Sequence, residues 1–339
     1  MNKLSNIYIV VIAIWFCSNI MATERFDLDD PNSLSSYYEY GKECRKQSPD
    51  KAMEIFIECY EHGIVDALAM QGLLYIQGDG VDVNYEKAKY LLEKALSQGS
   101  NVALGLLAVI YADGLGVEPD IEKANQYRSK AAYKGDKQSM FYLGLASEFG
   151  QGVDIDYQKA AYWYKKSDLT YALLRYTYLV LEERVLDMDK RALVKYINNG
   201  IKENRALAYA LRARLHYKGY ILAQDLKKAK MFYEKSIELG SDVGKTDYGL
   251  ALISTDGLFN RDMKRGIDML IEASNNGHGK ASYCLGVIMK QEGKKEYTER
   301  VIEYYKLAAW QGYPEAKTRL RELNINIGQE EKDDIEIKP

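Results

Sequence analysis

The chain of 339 residues is long enough for two ordinary domains or one extended array. Its 46 basic and 49 acidic residues leave a net charge of −3, so no global field directs it to nucleic acid or to an anionic membrane surface. The 47% hydrophobic content suits a folded protein, and five prolines with 29 tyrosines suit a helix-rich chain with short connections.

The N-terminus differs from the rest. Lys3 is the only charge before Glu24, and Ile7 to Cys17 is an unbroken apolar run. A membrane span needs roughly 20 apolar residues, so this run has the length of a signal-peptide core instead. The expected leader is residues 1–22, cut after Ala22, although Ile20 is not the small residue usually found there. An uncleaved anchor is the alternative. Anchoring through a lipid on Cys17 is disfavoured by the bulky Trp15 and Phe16 before it. Export would place Cys44, Cys59 and Cys284 in an oxidising compartment. Cys44 and Cys59 fall on two helices that turn at Ser48-Pro49, at heights that differ by roughly 9 Å at 1.5 Å per residue. That offset predicts buried thiols rather than a bridge.

From Gly78 the chain writes one phrase three times. "GDGVDVNYEKAKYLLEKALSQGS" is followed at Gly114 by "GLGVEPDIEKANQYRSKAAYKGD" and at Gly150 by "GQGVDIDYQKAAYWYKKSD". Such self-similarity marks a repeat architecture of about 36 residues per unit. Each unit predicts two helices. The first runs over 67–77, 103–113 and 139–149, and the second starts at the N-cap types Asn84, Asp120 and Asp156. The Gly-x-Gly reverses the chain in a left-handed conformation, and Val81, Val117 and Val153 are expected to pack in the seam. Gly72, Ala108 and Gly144 are small enough for two helix backbones to approach. Leu91, Tyr127 and Trp163 fill the buried stripe of the second helix, and Gly99 and Gly135 close it.

The pattern continues more loosely. Small or apolar residues precede a closing glycine by eleven positions at Ala52 and Gly63, Ala229 and Gly240, Gly266 and Gly277, and Val301 and Gly312. Asp256-Gly257 takes the turn position of one unit, and Tyr283-Cys284-Leu285-Gly286 restates Tyr142-Leu143-Gly144. Between Tyr171 and Gly200 the turn glycines are missing. Ala192 precedes Gly200 by only eight positions, which predicts a shortened unit that bends the array. Residues 33–324 hold roughly eight helix pairs, and the acidic, aperiodic end from 325 to 339 reads as a disordered tail.

The stretch "AMQGLLYIQGDGVDVNYEKAKYLLEKALSQGS" resembles the Sel-1-like repeat, a relative of the tetratricopeptide repeat. Residues 66–168 resemble it closely, 205–313 loosely and 169–201 barely. The resemblance implies an all-α fold: an α-solenoid, or right-handed superhelix, of antiparallel helix pairs over 23–324. It also implies protein binding, often after export in bacteria. Some exported members neutralise phospholipase toxins delivered by neighbouring cells, and others assemble envelope or polysaccharide-export machinery. The implied role is a periplasmic or secreted protein-binding adaptor of the immunity kind, with an assembly scaffold as the alternative. A cysteine-rich hydrolase type also exists, but it places paired cysteines in most repeats and this chain does not.

Catalytic, cofactor and metal sites find no support in the sequence. His62, His216 and His278 lie in separate units, and His62 and His278 flank closing glycines as surface helix-end histidines do. Gly78-Asp79-Gly80 lacks the Gly-Lys-Ser/Thr of a phosphate loop, and "DGVDVN" has valines where calcium ligands would be needed. Lys94, Lys130 and Lys166 recur at helix C-termini, where they complement the dipole.

Partner-binding candidates come from first-helix positions free of the repeat's packing duties. At spacings of 4 and 3 these are Met70, Leu74 and Gln77, then Leu106, Ile110 and Asp113, then Tyr142, Ala146 and Phe149. Either they form an apolar stripe for a protein partner, or some are buried against the next unit.

Overall fold

The structure, a computed structural model, describes residues 26–186, 189–292 and 298–325. The expected leader, and the tail after Ile325, lie outside the described residues. All regular structure among the described residues is helical, and it divides into one unit up to Gly135 and another from Asp136. Unit 1 holds α1 (Pro31–Cys44), α2 (Pro49–Glu61), α3 (Val65–Gln77), α4 (Tyr85–Ser97), α5 (Val102–Asp113) and α6 (Ile121–Tyr133). Unit 2 holds α7 (Lys137–Phe149), α8 (Tyr157–Ser167), α9 (Thr170–Leu181), α10 (Lys190–Lys202), α11 (Ala206–Lys218), α12 (Leu226–Glu238), α13 (Asp242–Ile253), α14 (Met263–Asn275), α15 (Gly279–Glu292), α16 (Thr298–Trp310) and α17 (Pro314–Glu322). These are eight packed helix pairs, with α17 closing the last.

In unit 1 the repeat chemistry acts as read. Asn84 and Asp120 accept hydrogen bonds from the amides of Lys87 and Lys123 at 2.8 Å, which fixes the starts of α4 and α6. Gly114 and Gly116 take φ of 67° and 69° between α5 and α6. A Cβ on Gly72 would sit 2.9 Å from Leu92 Cγ, so the missing side chain is what lets α3 and α4 close. Gly41 does the same for α1 against Ile55 and Phe56. Val81 and Val117 pack at the seams. Cys44 and Cys59 are both buried and unbridged in the first core, and burial pushes the Cys59 thiol up to about 11.

Gly116 supplies a stability test. A side chain there must adopt a positive φ and would meet Tyr85 Cβ at 2.8 Å. Gly116→Val is expected to lower the urea midpoint by an amount worth about 1–3 kcal/mol. Glu93→Gln should leave it within about 0.5 kcal/mol, because the surface pair of Glu93 with Lys89 is stretched to 4.0 Å. Equal midpoints would refute the turn assignment.

Unit 2 corrects three expectations. The segment between Tyr171 and Gly200 is not shortened: α10 has 13 residues, as do α4 and α6. Gly200 lies inside α10, where a Cβ would come 2.7 Å from both Ala208 Cβ and Leu174 Cδ1, so it is a packing glycine. The closing position is Asn204, with φ 54°, and Glu183 at φ 59° turns the chain after α9. Asparagine is tolerated in this conformation, which explains how the unit keeps its length without its glycine. Val153 is exposed rather than packed, and Ile155 lies against Gly150 instead. His278 is not a surface residue but is largely enclosed, as described below. The strict features recur elsewhere: Gly144 faces Tyr164, and Gly286 faces Tyr305 in the same way.

Candidate protein-binding faces

The predicted partner-binding residues separate by burial. Met70, Leu74, Ile110 and Ala146 are buried, so for these the alternative reading holds: they are core. Leu74 belongs to the first core and Ile110 to the second, each wedged between its own helix pair and a neighbouring one. Their spacing placed them on the right helix, but these members of the stripe point inward. Gln77, Asp113, Tyr142 and Phe149 are exposed and Leu106 is half-buried. In unit 1 the accessible members are thus Gln77 at the end of α3, with Leu106 and Asp113 on α5. In unit 2, Tyr142 and Phe149 lie seven residues apart on α7, two turns along one face, with 36% and 37% of their surface exposed.

The lysines at helix C-termini have a second contact besides the dipole. Lys94 lies over the ring of Tyr60 at 5.2 Å, Lys130 over Tyr127 at 5.7 Å and Lys166 over Tyr162 at 5.6 Å.

The most elaborate chemistry in unit 2 went unread in the sequence. Arg214, on α11, forms an ion pair with Glu182 at 2.7 Å and donates its Nε–H to Asp247 at 2.8 Å, with Nη2 2.6 Å from the same carboxylate. Lys280, on α15, donates to the same Glu182 at 2.7 Å and lies 3.7 Å from Asp247. Burial alone would raise the Glu182 carboxyl, but Arg214 and Lys280 outweigh burial and hold it below the ordinary range. Nearby, Glu148 accepts from Tyr164 at 2.6 Å and from Arg175 Nε at 3.1 Å, with a second, closer contact to the same guanidinium. The ring of Phe149 stacks under Arg175 at 5.2 Å. A polar pocket of about 370 Å³ opens beside the cluster, lined by Arg214, Asp247 and Lys280 together with Tyr217, Lys218 and Asp256. Each buried cation here has a carboxylate partner, so the cluster is internally neutralised. One signal was available: Arg214, Asp247 and Lys280 stand 33 residues apart on successive first helices, at positions where the close repeats have few charges.

His278 precedes α15. Thr246 donates its hydroxyl proton to the Asp242 carbonyl at 2.8 Å and accepts from His278 Nδ1 at 2.7 Å. Burial lowers the imidazole to about 4, against 6.5 for the free side chain. Between those values the unfolded chain binds a proton that the folded chain refuses. Stability contributed by neutral His278 is therefore complete above pH 6.5 and is lost as pH falls towards 4, by roughly 3 kcal/mol. His278→Gln should flatten that part of the pH–stability curve. A variant curve parallel to the wild type between pH 7 and 4.5 would contradict the burial argument.

Among the described residues no cluster of metal-ligating side chains occurs, and no helix is long and apolar enough to cross a membrane. Stacked pairs with Gly-x-Gly reversals and exposed aromatic residues define a helical-repeat protein of the protein-interaction class. The Sel1 repeat pattern matches residues 32–64, 65–100, 102–136, 137–167 and 205–241, and the chain belongs to the Sel1 repeat family. No curated protein matches it significantly. Among solved structures it is similar to a protective antigen of uropathogenic Escherichia coli strains that displays an SLR fold, at 22% identity and a TM-score of 0.54. That likeness covers 88% of this chain and 66% of the antigen. It is also similar to a Sel1 repeat protein from Oxalobacter formigenes, at 21% identity and a TM-score of 0.56, over 70% of this chain and 96% of that one. At these identities the likeness is one of fold.

Proposed function

We propose that the protein is an exported adaptor that binds another protein, and that the bound protein is a phospholipase-type toxin which it neutralises. Protein binding rests on the Sel1 repeat family and on one observation above the rest. Tyr142 and Phe149 share an exposed face of α7, with an arginine stacked on one of them, the composition from which interface anchors are made. The toxin reading and the export reading come from the sequence resemblance and from the apolar run at Ile7–Cys17.

Two experiments test this. In the first, the purified protein is mixed with a phospholipase toxin from a neighbouring gene, and lipid hydrolysis is followed. Inhibition at equimolar protein supports the reading, and inhibition should weaken more than tenfold in Tyr142→Asp, about 1.4 kcal/mol or more, as for an interface anchor. Undiminished hydrolysis with excess protein defeats the toxin reading. In the second, N-terminal sequencing of the protein from its native host should begin near Thr23. An intact Met1 in the cytoplasmic fraction defeats export.

A further inference from the structure

We propose that unit 2 is a latched body: Arg184 locks its first repeat to its last by lying between Tyr157 and Tyr313 while pairing with Glu315. In a stacked array each repeat touches only its neighbours. Helices pack 8–10 Å apart, so repeats four steps apart on a straight stack would be separated by roughly 40 Å. The pairs α7–α8 and α15–α16 are four steps apart in chain order, yet they meet. The Arg184 guanidinium lies 5.3 Å from the ring of Tyr157, at the start of α8, and 5.6 Å from that of Tyr313, just before α17. It pairs directly with Glu315 in the first turn of α17. The ring of Phe149, at the end of α7, lies against Gly312, where a Cβ would come 3.5 Å from Cδ1. Glu182, two residues before Arg184, is held by Lys280 at 2.7 Å across 98 residues of sequence. A void of about 80 Å³ lies among these groups.

The chemistry suits a latch rather than a weld. Arg184 and Glu315 are partly solvated, and a pair of that kind holds weakly. The two flanking rings add a modest cation–π attraction. Arg184 sits on a connection, not on a helix, so it can withdraw without unwinding a repeat. The buried pairing of Glu182 with Arg214 and Lys280 holds the base of that connection in place. The latch is independent of whether the bound partner is a toxin.

Hydrogen exchange of the full-length protein tests the latch. In Arg184→Gln, segments 149–157 and 311–316 should exchange together, roughly tenfold faster, as expected when one local opening is eased by about 1.4 kcal/mol. Segment 85–97 should not change. The charge-reversed pair Arg184→Glu with Glu315→Arg should recover only the ion-pair share of the protection, because the ring contacts of Arg184 are lost, whereas either reversal alone should recover none. If Arg184→Gln loses protection throughout unit 2, Glu315→Gln provides the reading in its place. Faster exchange confined to 182–186, with both distant segments unaffected, overturns the proposal.

Discussion

Arg214→Leu is expected to lower the unfolding free energy by about 3–5 kcal/mol at pH 7. The substitution removes the cation between Glu182 and Asp247, and both carboxylates lie in the interior. Lys280 remains, but it stands 3.7 Å from Asp247 and cannot neutralise two acids. Adding Asp247→Asn should restore part of the loss, because one stranded charge is then removed. The pH dependence gives a second check. In the native chain the Glu182 carboxyl is held below its ordinary value of 4.5, so its contribution is present above that pH and disappears as pH falls through the lowered value. The gap between wild type and Arg214→Leu should therefore narrow below about pH 4.5. Urea denaturation followed by circular dichroism reads both effects. A deficit under 1 kcal/mol, or one that grows in acid, would mean that the cluster is not paired as described.

Gly144→Ala is expected to cost about 2 kcal/mol, although alanine is the better helix former by about 1 kcal/mol. A Cβ on Gly144 would lie 2.4 Å from Tyr164 Cε1 and 2.5 Å from Cδ1. The ring has nowhere to go: Tyr164 is fully buried and its hydroxyl is tied to Glu148, which is tied in turn to Arg175. Overpacking therefore outweighs propensity. In a Tyr164→Leu background the same substitution should cost much less, and the coupling in the double-mutant cycle measures the contact. A stabilised Gly144→Ala would show that the two helices can separate freely.

How far the fold could be read depended on the range of the interactions. A turn needs only its own residues. Gly114 and Gly116, Asn84 with Lys87, and the close approach at Gly72 were legible because each involves groups within one repeat. The unit from Thr170 to Asn204 was misread because two non-glycine residues, Glu183 and Asn204, took left-handed conformations that no glycine announced. The candidate face was half legible. Periodicity put Leu74 and Tyr142 on first helices, but which side of a helix meets the next repeat is set by tertiary packing, and Leu74 faces inward while Tyr142 does not. The ion cluster was least legible. Glu182 and Lys280 are ordinary surface types until the array brings them together, and no local rule pairs residues 98 positions apart.

The contact of Arg184 with Tyr313 and Glu315 also bears on how such a chain could evolve. Repeat arrays ordinarily lengthen or shorten by duplication and deletion of single units, because a new unit only has to fit its two neighbours. In unit 2 an added or lost pair between α10 and α15 would shift the Tyr313 end of the array by about 10 Å and strand Arg184 away from its ring and its carboxylate. The number of repeats there is fixed by geometry, while each sequence between the fixed points stays free to drift. Copy number should therefore be invariant across relatives that keep an arginine at 184 with an aromatic residue at 313, and variable in those that have lost either.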